Sequence, residues 1–538
     1  MSFHMQEQKP AGDWRLRTIA TTIFTVAILI FIIVTRWWLA PQHLYYFDSV
    51  NFALALDQFN PALHQPQPPG YPLFVGLAQL IHFWVARPEQ VFLIAGILGA
   101  CAAVLLIRKL TSEMFGSVAG LLAAALLASN PVFWFGGITN EVRVFLALSS
   151  VAVALLSWMA YTRPAHGGWL VAAFAALGIG AGFRPAEATL LIPMLLWVWY
   201  QTGRRALRLL LACICLAAAT APWLIYTVAV SGGPTAYLHL LWHYSGVQFH
   251  DSSAVFGAQS NAAWHMVAQA VTWNVLGAVI WLWALPMVRS TAHGVEFRRK
   301  AVFLAIWFFP AFLFSALIHI GDPDQALTSI PVLSMIGAGV LAAVLAKCSS
   351  RRVYAMAGAA VAAHVVLFFV PPTHIAKASS YKAAAMVDRI TNSTLDAIDQ
   401  LRLQRPATIL YSGASVSWRQ IVYYFPDDYV VVMPPEVDQP WTFYHRARVY
   451  TKPGRGLLRD GSRRVVWLLP PLVKPAPLPG VQWRQRGSVY YFDFAQGASL
   501  TVGQYKLIPA SFDAPSPHSA SFHLSAIFPG RDQPAGAE

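Results

Sequence analysis

Long uninterrupted apolar runs constrain this chain more than any motif in it. They recur between residues 18 and 371, and a helix needs about 20 mainly apolar residues to cross the hydrocarbon core of a bilayer. Only helices and closed barrels satisfy their backbone groups in lipid. The runs here are continuous rather than alternating, which excludes a barrel. Hydrophobic residues make up 57% of the chain and charged residues 12%, and mean hydropathy is +0.50. That composition does not suit a soluble globule.

Spans are expected near 18–40, 90–107, 117–135, 144–161, 169–183, 188–201, 207–230, 264–288, 301–319, 326–346 and 353–371. That is about eleven crossings, give or take one. The first run is followed by Arg36-Trp37-Trp38 with no small-residue cleavage site, so it reads as a retained anchor rather than a signal peptide.

Basic residues in short loops face the cytoplasm. With the N-terminus inside, the cytoplasmic segments collect Lys9, Arg15, Arg17, Arg108, Lys109, Arg163, Arg204, Arg205, Arg208, Arg289, Arg298, Arg299, Lys300, Lys347, Arg351 and Arg352, and the opposite side keeps Arg36, Arg87, Arg143 and Arg184. The same parity predicts that the apolar piece Tyr71 to Val85 does not cross and lies along the outer interface. The formal charge of +14 then reflects topology and anionic lipid headgroups, with no support for nucleic-acid binding. Cys101, Cys213, Cys215 and Cys348 fall in spans or on the cytoplasmic side, without metal-ligand spacing.

Hydrophobic density drops after Val370-Pro371-Pro372. The expected organisation is a membrane domain over 1–371, a small extracytoplasmic α/β domain over 372–508, and a poorly ordered Ser/Pro/Ala/Gly tail over 509–538. Within the second domain, Ala407–Tyr411, Tyr429–Met433, Arg464–Leu469 and Ser488–Asp493 read as strands and Val416–Tyr424 as a helix.

Intramembrane charge is costly and tends to be kept for function. The span interiors are nearly free of it. His265 and His364 lie near predicted span ends and read as hydrogen-bonded or interfacial residues. The outer ends, by contrast, hold Asp48, Asp57, His64, Glu141, Arg143, Arg184, Glu187, His319, Asp322 and Asp324. A coupled transporter generally places ionisable or discontinuous-helix sites near the midplane. An enzyme acting on a lipid-linked substrate at the interface needs instead a carboxylate to take a proton and cations to hold a phosphate, and the outer loops offer both.

Asp48-Ser49, Pro68-Pro-Gly-Tyr-Pro-Leu-Phe74, Gly137-Ile-Thr-Asn-Glu-Val-Arg143, Gly182-Phe-Arg-Pro185 and the His319-Ile-Gly-Asp322 loop occur in that order. Through them, residues 15 to 370 resemble the bacterial GT-C glycosyltransferases, and most closely the branch of protein O-mannosyltransferases and the lipid A aminoarabinose transferase. The expected fold is therefore an α-helical polytopic GT-C-like bundle with interfacial helices in the first outer loop. The resemblance implies a sugar donor on a polyprenyl-phosphate carrier and catalytic acids at Asp48 and Glu141. Arg143, Arg184 and His319 would bind the lipid phosphate; His64, Gln67, Tyr71 and Asp322 would line the substrate. Gln67 stands where relatives often have His before the Pro-Pro pair, and Ser49 where many have a second acid.

The implied reaction is inverting transfer, with Asp48 as general base and an acceptor that is a protein, lipid or polysaccharide, at the outer face of the bacterial cytoplasmic membrane. Each residue has a plainer alternative: Asp48 as the cap of a helix starting near Ser49, Glu141 and Arg143 as an interfacial ion pair, Arg184 as a snorkelling anchor, and the Pro-rich segment as a turn. Asp48, Glu141 and Asp322 could together ligate a divalent ion, but the resemblance implies no required metal or other cofactor. The competing functions are a flippase of lipid-linked sugars and a non-catalytic membrane scaffold whose outer domain binds a partner.

Overall fold

A computed structural model describes residues 11–513 apart from short stretches, the longest being 256–262, 289–294, 434–441, 451–464 and 494–499. Contacts divide the chain into two compact units, one of residues 1–40 with 51–384 and the other of 41–50 with 385–538. The break expected at 372 thus falls later. Residues 374–377 pack with the membrane helices, where Trp273 Nε1 donates to the Ile375 carbonyl at 3.1 Å.

Each apolar run forms helix. The larger unit begins with α1 (Ala11–Leu39); α2 (Phe47–Asp57) and α3 (Pro72–His82) occupy the first loop. Then follow α4 (Pro88–Phe115), α5 (Ser117–Ser129), α6 (Pro131–Thr139), α7 (Val144–Thr162), α8 (Gly168–Phe183), α9 (Ala186–Gln201) and α10 (Ala206–Val230). The series continues with α11 (Pro234–Ser252), α12 (Ala263–Val275), α13 (Val279–Leu282), α14 (Leu285–Val288), α15 (Val295–Leu313), α16 (Ile330–Leu345), α17 (Ser350–Phe369) and α18 (His374–Lys377). Among the described residues, α1, α4, α7, α10 and α15 are long and apolar enough to cross a membrane, and α8, α16 and α17 are shorter apolar helices. This is a multi-pass membrane protein.

Two expected spans are broken. The run 117–135 is a bent pair, α5 and α6, meeting at 52°, because Pro131 has no N–H to continue the ladder. Asn130 caps the second half, its Oδ1 accepting from the amides of Val132 at 3.0 Å and Phe133 at 3.2 Å. The run 264–288 is the series α12, α13 and α14, interrupted around Gly277. Small residues let the helices close up: at Gly178 of α8 a Cβ would come within 2.9 Å of the Leu216 carbonyl on α10. Apolar side chains of α10, including Leu210, Ile214 and Ile225, remain exposed, as suits a lipid-facing helix.

The apolar piece expected not to cross forms a short helix. At 11 residues α3 is too short to span, and it buries Phe74, Val75 and Ala78 against α4 and α8.

In the smaller unit, α19 (Tyr381–Gln400) leads to β1 (Thr408–Ser412), α20 (Trp418–Tyr424) and β2 (Tyr429–Met433). Next come β3 (Thr442–His445), β4 (Arg448–Tyr450), β5 (Val465–Leu468), β6 (Arg484–Arg486) and β7 (Val489–Asp493). These strands form one sheet in the order β4-β3-β2-β1-β5-β7-β6. Central β1 pairs in parallel with β2 and β5 and is buried along its length, which accounts for its continuous apolar run. A second sheet joins β8 (Leu500–Val502), β9 (Tyr505–Ile508) and β10 (Ser511–Asp513), so the stretch read as a tail from 509 contributes a strand.

Candidate active site

In the smaller unit, Asp48 sits in the first turn of α2, which starts at Phe47. It is therefore inside the helix rather than its cap, where the dipole favours a negative charge. The irregular approach to it, residues 41–45, is bonded to α19 and α20. Gln42 N donates to Asp388 Oδ1 at 2.9 Å and Leu44 N to the Tyr424 hydroxyl at 3.0 Å. Gln420 Nε2 donates to the carbonyls of Leu44 at 3.1 Å and Tyr45 at 3.2 Å. The Phe47 ring meets Trp418 edge-on at 5.4 Å, and the Arg419 guanidinium lies 3.9 Å above the Phe47 ring centroid. Burial lowers Arg419 to about 10, against the opposing charges of Tyr444 and Asp48.

In the larger unit the Pro-rich segment forms a tight, buried turn. Gly70 takes φ +113°, and a Cβ there would meet Pro61 Cγ at 2.8 Å, so only glycine fits. Its amide donates to the Gln67 carbonyl at 3.0 Å, and the Tyr237 hydroxyl donates to the Pro69 carbonyl at 2.9 Å. Gln67 is buried, its Oε1 accepting from Asn51 Nδ2 at 3.2 Å. Tyr71, also buried, packs edge-on against Phe52 at 5.3 Å. His64 is exposed on a left-handed residue, its ring 6.1 Å from that of Tyr244.

A cationic corner lies at the ends of α6 and α8. Arg143 closes the 3₁₀ turn Glu141–Arg143 ahead of α7, and Arg184 terminates α8 in extended conformation. Both guanidinium side chains are buried, which argues against a lipid-interface snorkel for Arg184. The 3₁₀ turn Pro323–Thr328 draws the corner together: it packs against α6, α7 and the Glu141–Arg143 turn, and its Gln325 Oε1 accepts from Arg184 Nη2. Thr328 of the same turn donates to Glu187 Oε1 at 2.5 Å, and Glu187 is within electrostatic reach of Arg184. Gln325 and Thr328 escaped the sequence reading because an amide and a hydroxyl carry no pattern. Their position directly after the His319–Asp322 loop was the available signal. His319, Asp322 and the side chain of Glu141 lie outside the described residues. No group of three potential metal ligands occurs among the described residues.

Two ionisable side chains lie deeper than the sequence suggested. Arg36, expected at the outer end of the first span, is in the last turn of α1 and fully buried. It donates through Nη2 to the Ala128 carbonyl at 2.8 Å, satisfying a carbonyl freed where α5 ends. His364 lies inside α17, 2.9 Å through Nδ1 from the Ser129 hydroxyl and 3.0 Å through Nε2 from the Gly277 carbonyl. It is hydrogen-bonded, as read from the sequence, and it ties two broken spans together.

Residues 66–230 match the family described as dolichyl-phosphate-mannose-protein mannosyltransferase. No curated protein matches the sequence. Among solved structures, that of ArnT from Cupriavidus metallidurans bound to undecaprenyl phosphate superposes with a TM-score of 0.57 at 15% identity, covering 90% of this chain and 98% of that one. The same protein in the apo state gives 0.57 at 13% identity, covering 89% and 98%. A helical membrane unit followed in sequence by a small α/β unit, superposing on ArnT across nearly the full length of both chains, shows that this protein shares the ArnT fold, which is of the GT-C type.

Proposed function

We propose that the protein is a membrane glycosyltransferase that moves a sugar from a polyprenyl-phosphate carrier to an acceptor at the outer face of a bacterial cytoplasmic membrane. The observation that carries this reading is the buried cationic corner, Arg184 and the Arg143 turn gathered on Pro323–Thr328, in a chain whose residues 66–230 match a lipid-phosphate-sugar transferase family. Buried arginines suit a leaving phosphate, because the planar guanidinium offers paired donors and holds its charge at any working pH.

In the reaction, the Asp48 carboxylate takes a proton from an acceptor hydroxyl or amine while that atom attacks the anomeric carbon. The bond from that carbon to the phosphate oxygen breaks on the opposite side, so the configuration inverts. The polyprenyl phosphate leaves with the electron pair, and Arg143 and Arg184 stabilise its growing negative charge. No metal enters these steps.

Purified protein in vesicles, supplied with radiolabelled lipid-linked sugar and acceptor membranes, tests the assignment. Asp48→Asn should reduce transfer by at least a hundredfold without altering donor binding, and transfer should survive a chelator. Wild-type transfer by Asp48→Asn would remove the catalytic assignment. Label crossing the bilayer without being transferred would establish the flippase reading in its place.

A further inference from the structure

Residues 41–45 belong to no helix or strand, yet the amides of Gln42 and Leu44 and the carbonyls of Leu44 and Tyr45 are bonded to side chains of α19 and α20. Asp388 holds one end, while Tyr424 and Gln420 clamp both the amide and the carbonyl of Leu44. This density of bonding is more than an unstructured connection needs, since its backbone groups could equally be hydrated. Gln420 is fully buried while making these bonds, so the clamp excludes water rather than competing with it.

The clamp leads directly to Asp48. Arg419 lies on the face of the Phe47 ring at 3.9 Å, and Phe47 adjoins Asp48 in the first turn of α2. A guanidinium on an aromatic face is held in place by the ring while its charge acts on neighbours. Arg419 and Asp48 are within electrostatic reach of each other.

We propose that Arg419 is a positioning residue for the reaction: stacked on Phe47 and backed by the Gln420 clamp, it fixes the first turn of α2 and favours the ionised form of Asp48. This rests on the reading of Asp48 as general base. The α/β unit then acts as a holder of the catalytic acid. Among the described residues, the titratable groups on the segment leading to that acid and on the elements bonded to it include His43 and Tyr45 on residues 41–45, Asp388 on α19, Arg419 and Tyr424 on α20, and Tyr444 on β3, whose ring packs 4.9 Å from Trp418.

The test uses the full-length protein in vesicles, with radiolabelled undecaprenyl-phosphate mannose as donor, and compares Arg419→Gln, Arg419→Lys and Asp48→Asn. Arg419→Gln should lower kcat about tenfold with donor KM nearly unchanged, and should move the acid limb of the pH–rate profile to higher pH. Arg419→Lys should restore the limb by restoring the charge. Hydrogen exchange, which needs no substrate, should show faster exchange in residues 42–50 of Arg419→Gln with α19 unaffected. An unmoved acid limb, or unchanged exchange in 42–50, overturns the inference. If Asp48→Asn is inactive while Arg419→Gln behaves as wild type, only this inference fails. If Asp48→Asn transfers normally, the base assignment fails and takes the inference with it.

Discussion

Arg184 shows how much one side chain can carry when it ends a helix instead of lying within one. It is buried at the end of α8 and bonded to Gln325, so its charge is desolvated and oriented, as the proposed role in holding the donor phosphate requires. Hydrogen bonds to charged groups contribute about 1.5–3 kcal/mol. Arg184→Gln should therefore lower kcat/KM for lipid-linked donor by roughly ten- to a hundredfold, measurable in the same vesicle assay. Asp388 illustrates the opposite sign. Burial raises its pKa above the ordinary 3.8, against the lowering effects of the Gln42 amide, His43 and Asn392. A carboxyl whose pKa is higher folded than unfolded binds more protons in the folded state, so its contribution to stability is greatest at low pH. It falls as pH rises from the unfolded value through the raised one. Asp388→Asn keeps an acceptor for the Gln42 amide and removes that penalty. At neutral pH its thermal midpoint should equal or exceed the wild type's, whereas Asp388→Ala should lower it.

At the scale of elements, breaks in helices do the positioning. The α5–α6 bend leaves α5 with unpaired carbonyls and α6 with unpaired amides; Arg36 meets the first need and Asn130 the second. Removing an N-cap costs about 1 kcal/mol, so Asn130→Ala should lower the unfolding midpoint measured in detergent, with a larger loss when combined with Arg36→Met. These breaks were missed in the sequence because Asn130-Pro131 and Asn274 to Gly277 interrupt runs that are apolar on either side, so each run reads as one span by its average hydropathy. The first loop was more legible. Gly70→Ala should destabilise more than an ordinary surface change, by about 1–2 kcal/mol for the backbone alone, since the Cβ also meets Pro61. That too can be followed by thermal unfolding.

For the whole molecule, orientation is the property to measure. In a background with Cys101, Cys213, Cys215 and Cys348 replaced by serine, Asp399→Cys should react with a membrane-impermeant maleimide applied to spheroplasts, and Arg163→Cys should react only after permeabilisation. The reverse labelling would invert the topology derived from charge. The apolar runs, their helical character, the short non-crossing α3 and the central strands β1, β2, β5 and β7 could all be read from the chain. Each depends on a local pattern, either twenty apolar residues or a buried β-branched run, that one dominant force acts upon. Tertiary structure alone decided that residues 41–50 join a unit built 340 residues later, that Gln325 and Thr328 complete the cationic corner, and that Arg36 and His364 are interior. Those outcomes turn on single hydrogen bonds between distant segments, made because buried donors and acceptors must be paired, and the residues that make them have no periodicity to announce them.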